Sequence, residues 1–416
     1  MKNDTTQRIA RTLGLVAPLI WSIDSMGNQE AVAPQRTGRV ARVIDESLNV
    51  IEGDPLLIDE LMVSVQDPVL ESKSKFRPIQ DVLAIIIGPS IARDLTVSDR
   101  MASTRAGDDI PISTSYIELV DGQRLPGSLH ADDEGIPVWR SAWVRDIPFD
   151  LETLRSIRLQ DGAVVPEAIE SDIIVLSNGD RLSGLVLEIE AAVEMEVERS
   201  NGDLDVISVP LDRIASISLL NPLVPRSGTM VWLRGGHRIS SDSIQIGEDG
   251  YVRLLGPAVG GETAEIPADF LIAVATDANR IDSIASMEIT VQAGPGSGLR
   301  PWIPEPTVTE GHHPLGASPV RLDGPLEATI RLPRRGCQFM ATVERPMESG
   351  PGRSVLRIFD GDRELQTIEV TPESPVHQIR ALLSGDRLVL RIEDGGDGPF
   401  HDTIVLREAV VIRPGN

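Results

Sequence analysis

The sequence predicts an all-β protein in which tandem small β modules precede a C-terminal β-sandwich. A hairpin-like segment recurs three times, a proline-containing segment recurs four times, and seven strand-like runs crowd the end of the chain. The chain has 416 residues, of which 41% are hydrophobic. That composition is typical of folded domains, and the length suits roughly two to four of them.

Charge narrows the choice of partners. The chain carries 63 acidic and 39 basic residues, which give a formal net charge of −24. Such a surface repels phosphate backbones and anionic lipids, so we expect neither nucleic acid nor an anionic membrane as a partner. Calcium ions, a neutral glycan or another protein remain compatible with this charge.

Residues 1–27 have the pattern of a signal peptide. Lys2, Arg8 and Arg11 precede the apolar run 13–23, which is too short to span a bilayer. The alternative is a buried amphipathic helix. Since no later stretch is long enough for a transmembrane helix, we expect an exported protein of the periplasm or cell surface without a transmembrane anchor in the mature chain. Cys337 is the single cysteine, so no intrachain disulfide can form.

The recurring hairpin-like segment aligns a glycine and an arginine two residues later. The copies are IELVDGQRLPGSL (117–129), IIVLSNGDRLSGLVL (173–187) and MVWLRGGHRISSDSI (230–244), which align Gly122, Gly179 and Gly236 as well as Arg124, Arg181 and Arg238. Asp-Gly, Asn-Gly and Gly-Gly pairs favour type I′ turns, in which both central residues have positive φ. The arginines could form a row of equivalent sites. However, Gly-Asp-Arg also occurs at 361–363 and 385–387, outside the repeats, which favours ordinary turn chemistry.

The proline-containing segment sets the period of the repeat. It occurs at 77–85, 147–157, 209–217 and 266–274, and its prolines are separated by 70, 62 and 57 residues. With four or five strands in each period, this pattern predicts bent sheets or SH3-like barrels. The predicted modules are 38–105 (the most divergent), 112–168, 171–222 and 227–285. We expect Trp139, Trp143 and Trp232 to be core residues of these modules.

The last predicted domain covers residues 287–416. A Pro- and Gly-rich stretch at 294–314 precedes seven strand-like runs, which argue for a β-sandwich. Alternation within CQFMATV (337–343) places Cys337 on the core face, so we interpret it as a packing residue rather than a nucleophile.

Features of this domain resemble a known family. They are LDGPLEATIRLP (322–333), CQFMATVER (337–345), SVLRIFDGDREL (354–365), LLSGDRLVLRIEDGGDG (382–398) and the closing run 403–412. Their order resembles the NPCBM/NEW2 domain, a carbohydrate-binding module also associated with glycoside hydrolase family 98. The resemblance implies a galactose-binding-like jelly roll and a glycan ligand. Together with the repeats and the signal-like start, it is similar to exported proteins of planctomycete-type bacteria.

Two departures from that family concern its sugar site. Ser318 stands where the family's Gly-Leu-Gly-Val-His stretch has histidine, and Asp402 alone is kept from its Asp-His-Ala-Asp-Trp pattern. The resemblance therefore supports the predicted fold. It gives less support to the prediction that the sugar site is intact.

Candidate site residues lie in two loops of the C-terminal domain. The predicted ligand-binding residues are Trp302, His312, His313, Asp397 and His401. The predicted metal ligands are Asp394, Asp397 and Asp402, in a Gly-rich loop whose carboxylates could bind calcium. The alternative is that both loops are solvated and bind nothing.

No catalytic motif is visible. The sequence lacks a His-Glu-x-x-His helix, a Gly-x-Ser-x-Gly elbow, a P-loop and a dinucleotide fingerprint. We therefore expect a non-enzymatic protein that binds carbohydrate through its last domain. The alternatives are a structural or protein-interaction scaffold with a degenerate sugar site and a hydrolase whose carboxylates are assembled only by the fold.

Overall fold

The computed structural model describes residues 39–415 except 55, 67–72, 90–114, 133–135, 145, 200, 226–227, 258–262, 296–301, 310, 347–351 and 397–401. The predicted signal peptide lies outside these residues. The described residues form 32 β-strands with short 3-10 helices and no α-helix, so the all-β prediction is confirmed. Within this described part, no helix has the length and apolar character needed to cross a membrane.

The first 21 strands form four groups, which we call barrels 1 to 4. Barrel 1 contains β1 Arg39–Asp45, β2 Val50–Gly53, β3 Leu56–Ile58, β4 Met62–Gln66, β5 Ser74–Pro78 and β6 Val82–Pro89. Barrel 2 contains β7 Tyr116–Leu119, β8 Arg124–Ala131, β9 Pro137–Ser141, β10 Ile147–Pro148 and β11 Leu154–Arg158. Barrel 3 contains β12 Asp172–Leu176, β13 Arg181–Ile189, β14 Ala192–Glu198, β15 Leu204–Pro210 and β16 Ile214–Ser218. Barrel 4 contains β17 Thr229–Leu233, β18 Arg238–Ile246, β19 Tyr251–Pro257, β20 Thr263–Pro267 and β21 Leu271–Ala275.

Each group closes by pairing its last strand with its first. The closing pairs are β1–β6, β7–β11, β12–β16 and β17–β21. The long second strand bends so that its first half pairs with the first strand and its second half with the third, as β13 does with β12 and β14. These connections are those of a small SH3-like barrel, which is one of the two predicted architectures.

A glycine in the bent strand of barrels 1 to 3 allows a neighbouring strand to approach closely. A Cβ at Gly53, Gly127 or Gly184 would lie 2.1–2.2 Å from the backbone oxygen of Gln66 in β4, Arg140 in β9 or Glu196 in β14. No side chain can occupy that space without moving the backbone. The bend glycine is therefore a steric requirement of barrels 1 to 3.

The hairpin tips are turns, but the predicted type I′ geometry is wrong for barrels 2 and 3. Gly122 and Gly179 have φ of 79° and 88°, whereas Asp121 and Asn178 have no positive φ. The Asp121 and Asn178 side chains accept hydrogen bonds from the backbone N–H two residues on, at 3.0 and 3.1 Å. Because this bond stabilises a right-handed Asx turn, only the glycine must adopt the left-handed region.

The recurring proline lies at the end of the last-but-one strand of a barrel and fixes the approach to the last strand. Pro78, Pro210 and Pro267 all have φ of −57° and precede a three-residue 3-10 helix. A fixed φ preorganises this corner, because the pyrrolidine ring allows little else. In barrel 2 a turn takes the place of the 3-10 helix, with Thr153 N–H donating to the Asp150 carbonyl at 3.1 Å.

The barrels pair through their last strands in nested order. Strand β6 pairs antiparallel with β21, which joins barrel 1 to barrel 4. Strand β11 pairs antiparallel with β16, which joins barrel 2 to barrel 3. Modules that follow one another in the chain are therefore not always the ones that share a sheet.

The remaining strands form the C-terminal sandwich. They are β22 Ile281–Ser283, β23 Ile289–Ala293, β24 Thr307–Val308, β25 Val320–Asp323, β26 Leu326–Arg331, β27 Gln338–Glu344, β28 Ser354–Asp360, β29 Arg363–Val370, β30 Val376–Leu382, β31 Arg387–Asp394 and β32 Thr403–Ile412. One sheet has the order β24-β25-β32-β27-β30, with β22 also on β32, and the other has the order β23-β26-β31-β28-β29. The predicted jelly-roll sandwich is confirmed. Its strand β22 lies in the stretch that the sequence assigned to the fourth module.

Cys337 lies in the sandwich core, as predicted. Its side chain is fully buried, and its thiol donates to the Arg334 carbonyl at 3.1 Å. Burial raises the pKa of this thiol, which keeps it protonated and unreactive.

The sandwich packs on the sheet shared by barrels 1 and 4. Ala84 and Ala273 face Met340 and Val410 of the sandwich in one buried cluster, whereas the alternate residues of β6 and β21 point into the barrel cores. The middle strands of this sheet are therefore buried on both faces.

Two bidentate ion pairs cross the same interface. Arg42 donates to both carboxylate oxygens of Glu408 at 2.7 and 2.5 Å, and these side chains are 7% and 18% exposed. Arg280 donates to Glu46 at 2.5 and 2.7 Å, but here the carboxylate is 41% exposed. The first pair is mostly removed from water and the second is not.

We predict that Glu408→Gln destabilises the protein by about 3 kcal/mol, because it leaves the Arg42 guanidinium buried without a charged partner. The matched control Glu46→Gln should cost no more than about 1 kcal/mol, since water replaces the lost carboxylate. Urea unfolding of both variants measures the two values. Equal losses would show that burial does not set the strength of the Arg42 pair.

Candidate functional site

The acidic loop is described only at its two ends. Asp397 and His401 lie outside the described residues. Asp394 is half-buried at the end of β31, and Asp402 is buried, with its carbonyl accepting from Gly324 N–H at 2.9 Å. Among the described residues, no group of three His, Cys, Asp or Glu side chains is arranged to hold a metal ion. The calcium site stays a prediction.

The tryptophans fall into two classes. Trp139 is 0% exposed in a barrel core, as expected, and Trp143 packs edge-on against Phe270 at 4.8 Å. Trp232 is 4% exposed, but it packs in the cluster between barrel 4 and the sandwich, so the prediction that it is a core residue of its module is wrong. Trp302, in contrast, is 68% exposed, shortly before the edge strand β24. It is the predicted ligand-binding residue that presents a large aromatic face to solvent.

His312 and His313 lie on the far side of β25 from Asp402, the described residue that ends the acidic loop. Their segment leads into β25, where Thr309 N–H donates to the Pro319 carbonyl, whereas Asp402 is bound to Gly324 beyond the other end of that strand. The four residues of β25 lie between Pro319 and Gly324, which separates these two residues by roughly 16 Å. The histidine segment and Asp402 are therefore at opposite ends of β25, and the grouping of the histidines with Asp397 and His401 stays a prediction.

The histidine pair instead lies in a cavity between barrels 2 and 4 and the sandwich. We call this cavity, of about 190 Å³, the junction pocket. Its polar lining comes from Arg124 of β8, from Trp232, His237 and Arg238 of the β17–β18 hairpin, and from His312 and His313. The two histidines were predicted from the sequence as site residues, but the contact of their segment with β8 and the β17–β18 hairpin was not predicted.

Two arginines of the repeat meet at this pocket. Strands β8 and β18 pair at Arg124 and Arg238, which occupy equivalent positions in their hairpins. The Arg124 guanidinium lies 3.6 Å above the Tyr116 ring centroid, and Arg238 binds Glu118 at 3.1 Å. The third copy, Arg181, is exposed. Turn geometry thus explains the repeated glycines. The arginines Arg124 and Arg238 in addition line the junction pocket, because β8 and β18 pair at these two residues.

The His312 ring packs directly on the tip of the β17–β18 hairpin. A Cβ at Gly236 would lie 2.4–2.8 Å from three atoms of that ring, so glycine is required beneath it. Burial lowers the pKa of His312 to about 4, assisted by the positive charges of Arg124, Arg238, Arg158 and His313. The ring is therefore neutral at pH 7.

His237 is neutral for a similar reason. Burial lowers its pKa to about 4 and outweighs hydrogen bonds to the backbone of Arg234 and Pro126, which act in the opposite direction. Its Nε2 lies 3.1 Å from the Ser141 hydroxyl. The pocket thus combines permanently charged guanidinium donors with neutral imidazoles, an arrangement suited to binding a polar ligand.

We predict that Gly236→Ala destabilises the protein more than Gly179→Ala. Both glycines have a left-handed backbone, with φ of 87° and 88°, so alanine costs about 1–2 kcal/mol at either position. Only Gly236 supports a histidine ring, whose displacement should add about 1–3 kcal/mol. Urea unfolding measures the difference. Equal effects would contradict the packing of His312 on the hairpin tip.

We also predict that stability falls as the pH is lowered from 6.5 to 4. In that window the unfolded histidines bind protons that folded His237 and His312 do not, so protonation favours unfolding. The His237 contribution should reach roughly 3 kcal/mol at the acidic end. Denaturant unfolding across this range should show a shallower loss for His237→Gln. An unchanged slope would contradict a buried neutral imidazole.

Comparison with known proteins gives distant likenesses only. No family model matches the chain, and no curated protein matches it. Among solved structures, CBM51 from Clostridium perfringens GH95 in complex with methyl-galactose is 13% identical over 32% of this chain and 99% of that chain, with a TM-score of 0.26.

Two further solved structures are similarly distant from this chain. CBM51-2 in complex with GlcNAc and INT domains from Clostridium perfringens ZmpB is 9% identical over 44% of this chain and 43% of that chain, with a TM-score of 0.26. The tandem CBM51 modules of Sp3GH98 from Streptococcus pneumoniae are 8% identical over 66% of this chain and 96% of that chain, with a TM-score of 0.23. The chain thus spans less than half of the ZmpB structure. Likenesses at these TM-scores carry no argument about function.

Proposed function

We propose that the protein is an exported, non-catalytic carbohydrate-binding protein. Its C-terminal sandwich, of NPCBM/NEW2 type, holds the sugar, and its four barrels form the scaffold. The observation that carries this proposal is the exposed Trp302 beside the sandwich edge.

Trp302 is unusual in a chain with so few aromatics. Aromatic residues make up 3% of the sequence, and the Trp139 and Trp232 side chains are buried. The Trp302 side chain is 68% exposed, so its ring is free of core packing and open to a ligand. An indole offers an apolar face for the C–H groups of a sugar ring and a polar N–H at its edge.

The remaining parts of the proposal rest on the sequence. Export rests on the basic and apolar pattern of residues 1–27. The non-catalytic role rests on the lack of recognisable nucleophile, metal-protease and cofactor motifs in the sequence. The family assignment rests on the order of features between 322 and 412.

Calorimetric titration of the full chain with galactose- and glucose-containing neutral oligosaccharides, with and without calcium, tests the proposal. We expect saturable binding that Trp302→Ala weakens at least tenfold, about 1.4 kcal/mol. Tyr251→Ala is the matched control, because it removes another exposed aromatic ring, 44% exposed, from barrel 4. No binding heat from a folded protein, or equal losses in both variants, would overturn the proposal.

A second candidate function is a protein-interaction scaffold. Barrel 3 exposes apolar side chains on β13 and β15: Leu185, Leu187, Leu204 and Val206 are 55%, 43%, 65% and 53% exposed. Exposed apolar groups on one small barrel favour contact with another protein. Self-association in sedimentation experiments that Leu204→Ser reduces, in a protein without sugar binding, would favour this function.

A further inference from the structure

The junction pocket concentrates positive charge in a strongly acidic protein. The chain has a formal net charge of −24, yet the largest electrostatic influences on the His312 ring come from Arg124, Arg238, Arg158 and His313. Guanidinium groups held together at a cavity favour an anion, and their planar donors match a carboxylate.

The pocket also contains buried hydrogen-bond donors. The Trp232 side chain is 4% exposed, and its Nε1 has no hydrogen-bond partner among the described residues. The buried Nε of Arg124 likewise has none within that part of the chain. Buried donors are paired in nearly all native proteins, so these two N–H groups are available to a water molecule or to a ligand that enters the pocket.

The size of the pocket and the apolar part of its lining favour an organic ligand over a simple inorganic ion. A volume of about 190 Å³ is more than ten times the space that one water molecule requires. Trp232, Leu233 and Ile272 contribute apolar atoms to the lining. An organic acid can contact these atoms while its carboxylate faces the arginines, which an inorganic anion cannot do.

We propose that the junction pocket binds a carboxylate-bearing ligand the size of a single sugar acid. Arg124 and Arg238 hold the carboxylate. Trp232 Nε1 and the neutral imidazoles of His237 and His312 bind the hydroxyl groups. This site is distinct from Trp302 and does not require the sandwich to bind neutral sugars.

A neighbouring groove gives room for a longer ligand. A depression of about 310 Å³ shares Arg238 and Gly316 with the junction pocket and continues along Leu223 and Arg413. The sugar acid can therefore be the end of a longer chain.

Calorimetric titration of the full chain with glucuronate, glucose and inorganic phosphate tests the proposal. We expect saturable glucuronate binding to the full chain and to Trp302→Ala, and no glucose binding to Trp302→Ala, in which the proposed neutral-sugar site is removed. Arg238→Gln should weaken glucuronate binding at least tenfold. Arg181→Gln is the matched control, because it changes the same repeat position where the side chain is exposed, and it should change the affinity less than twofold. Trp302→Ala should also leave the affinity unchanged.

If Arg238→Gln does not fold, as judged by circular dichroism, histidine NMR of the unsubstituted protein decides. Glucuronate should shift the ring-proton signal of His312, assigned with His312→Gln, and glucose should not. The proposal is overturned if glucuronate does not bind, if glucose binds Trp302→Ala as well as glucuronate does, if only phosphate binds, or if Trp302→Ala abolishes glucuronate binding. Failure of neutral sugars to bind would bear on Trp302 alone.

Discussion

The pairing of β6 with β21 is the constraint on which the rest of the structure depends. It merges the last strands of barrels 1 and 4 into one sheet, although these strands are about 190 residues apart in the chain. One face of that sheet closes the barrel cores, and the other carries the sandwich. Because both faces are buried, these two strands contribute side chains to the barrel cores and to the sandwich interface.

The nested order of the barrels also creates the junction pocket. With barrel 4 paired to barrel 1, its β18 touches β8 of barrel 2 at Arg124 and Arg238. The segment around His312 and His313 then lies against this contact, with Leu315 and Ala317 buried in the interface cluster. No single module contains the pocket, because its walls come from three parts of the fold.

Arginine has two functions in this acidic protein. At the sandwich interface, Arg42 and Arg280 each bind a carboxylate across two domains and hold the docking geometry. At the junction pocket, Arg124 stacks on Tyr116, which orients the guanidinium without neutralising it. The proposed binding protein would thus present two different surfaces, an exposed indole for neutral sugar and a cationic cavity for an acid.

The sequence by itself determined the local features of this protein. Alternating apolar residues and turn glycines identified the hairpins, the prolines marked the corners of the barrels, and the alternation in 337–343 placed Cys337 in the core. The predicted type I′ geometry of two hairpin turns was wrong, because the hydrogen bond of an Asx turn allows Asp121 and Asn178 to keep a negative φ. The site was only partly predictable. His312 and His313 were predicted as ligand-binding residues, but Arg124 and Arg238 were interpreted as turn residues, Trp232 was expected in a module core, and His237 was not singled out. One signal of the sheet that carries the sandwich was present, since VLAIII (82–87) and LIAVA (271–275) are continuously apolar, whereas IASIS (214–218), which joins barrels 2 and 3, contains two serines. Only the tertiary structure decided which barrels pair and what faces the histidines, because those contacts join residues far apart in the chain while sequence patterns report neighbours.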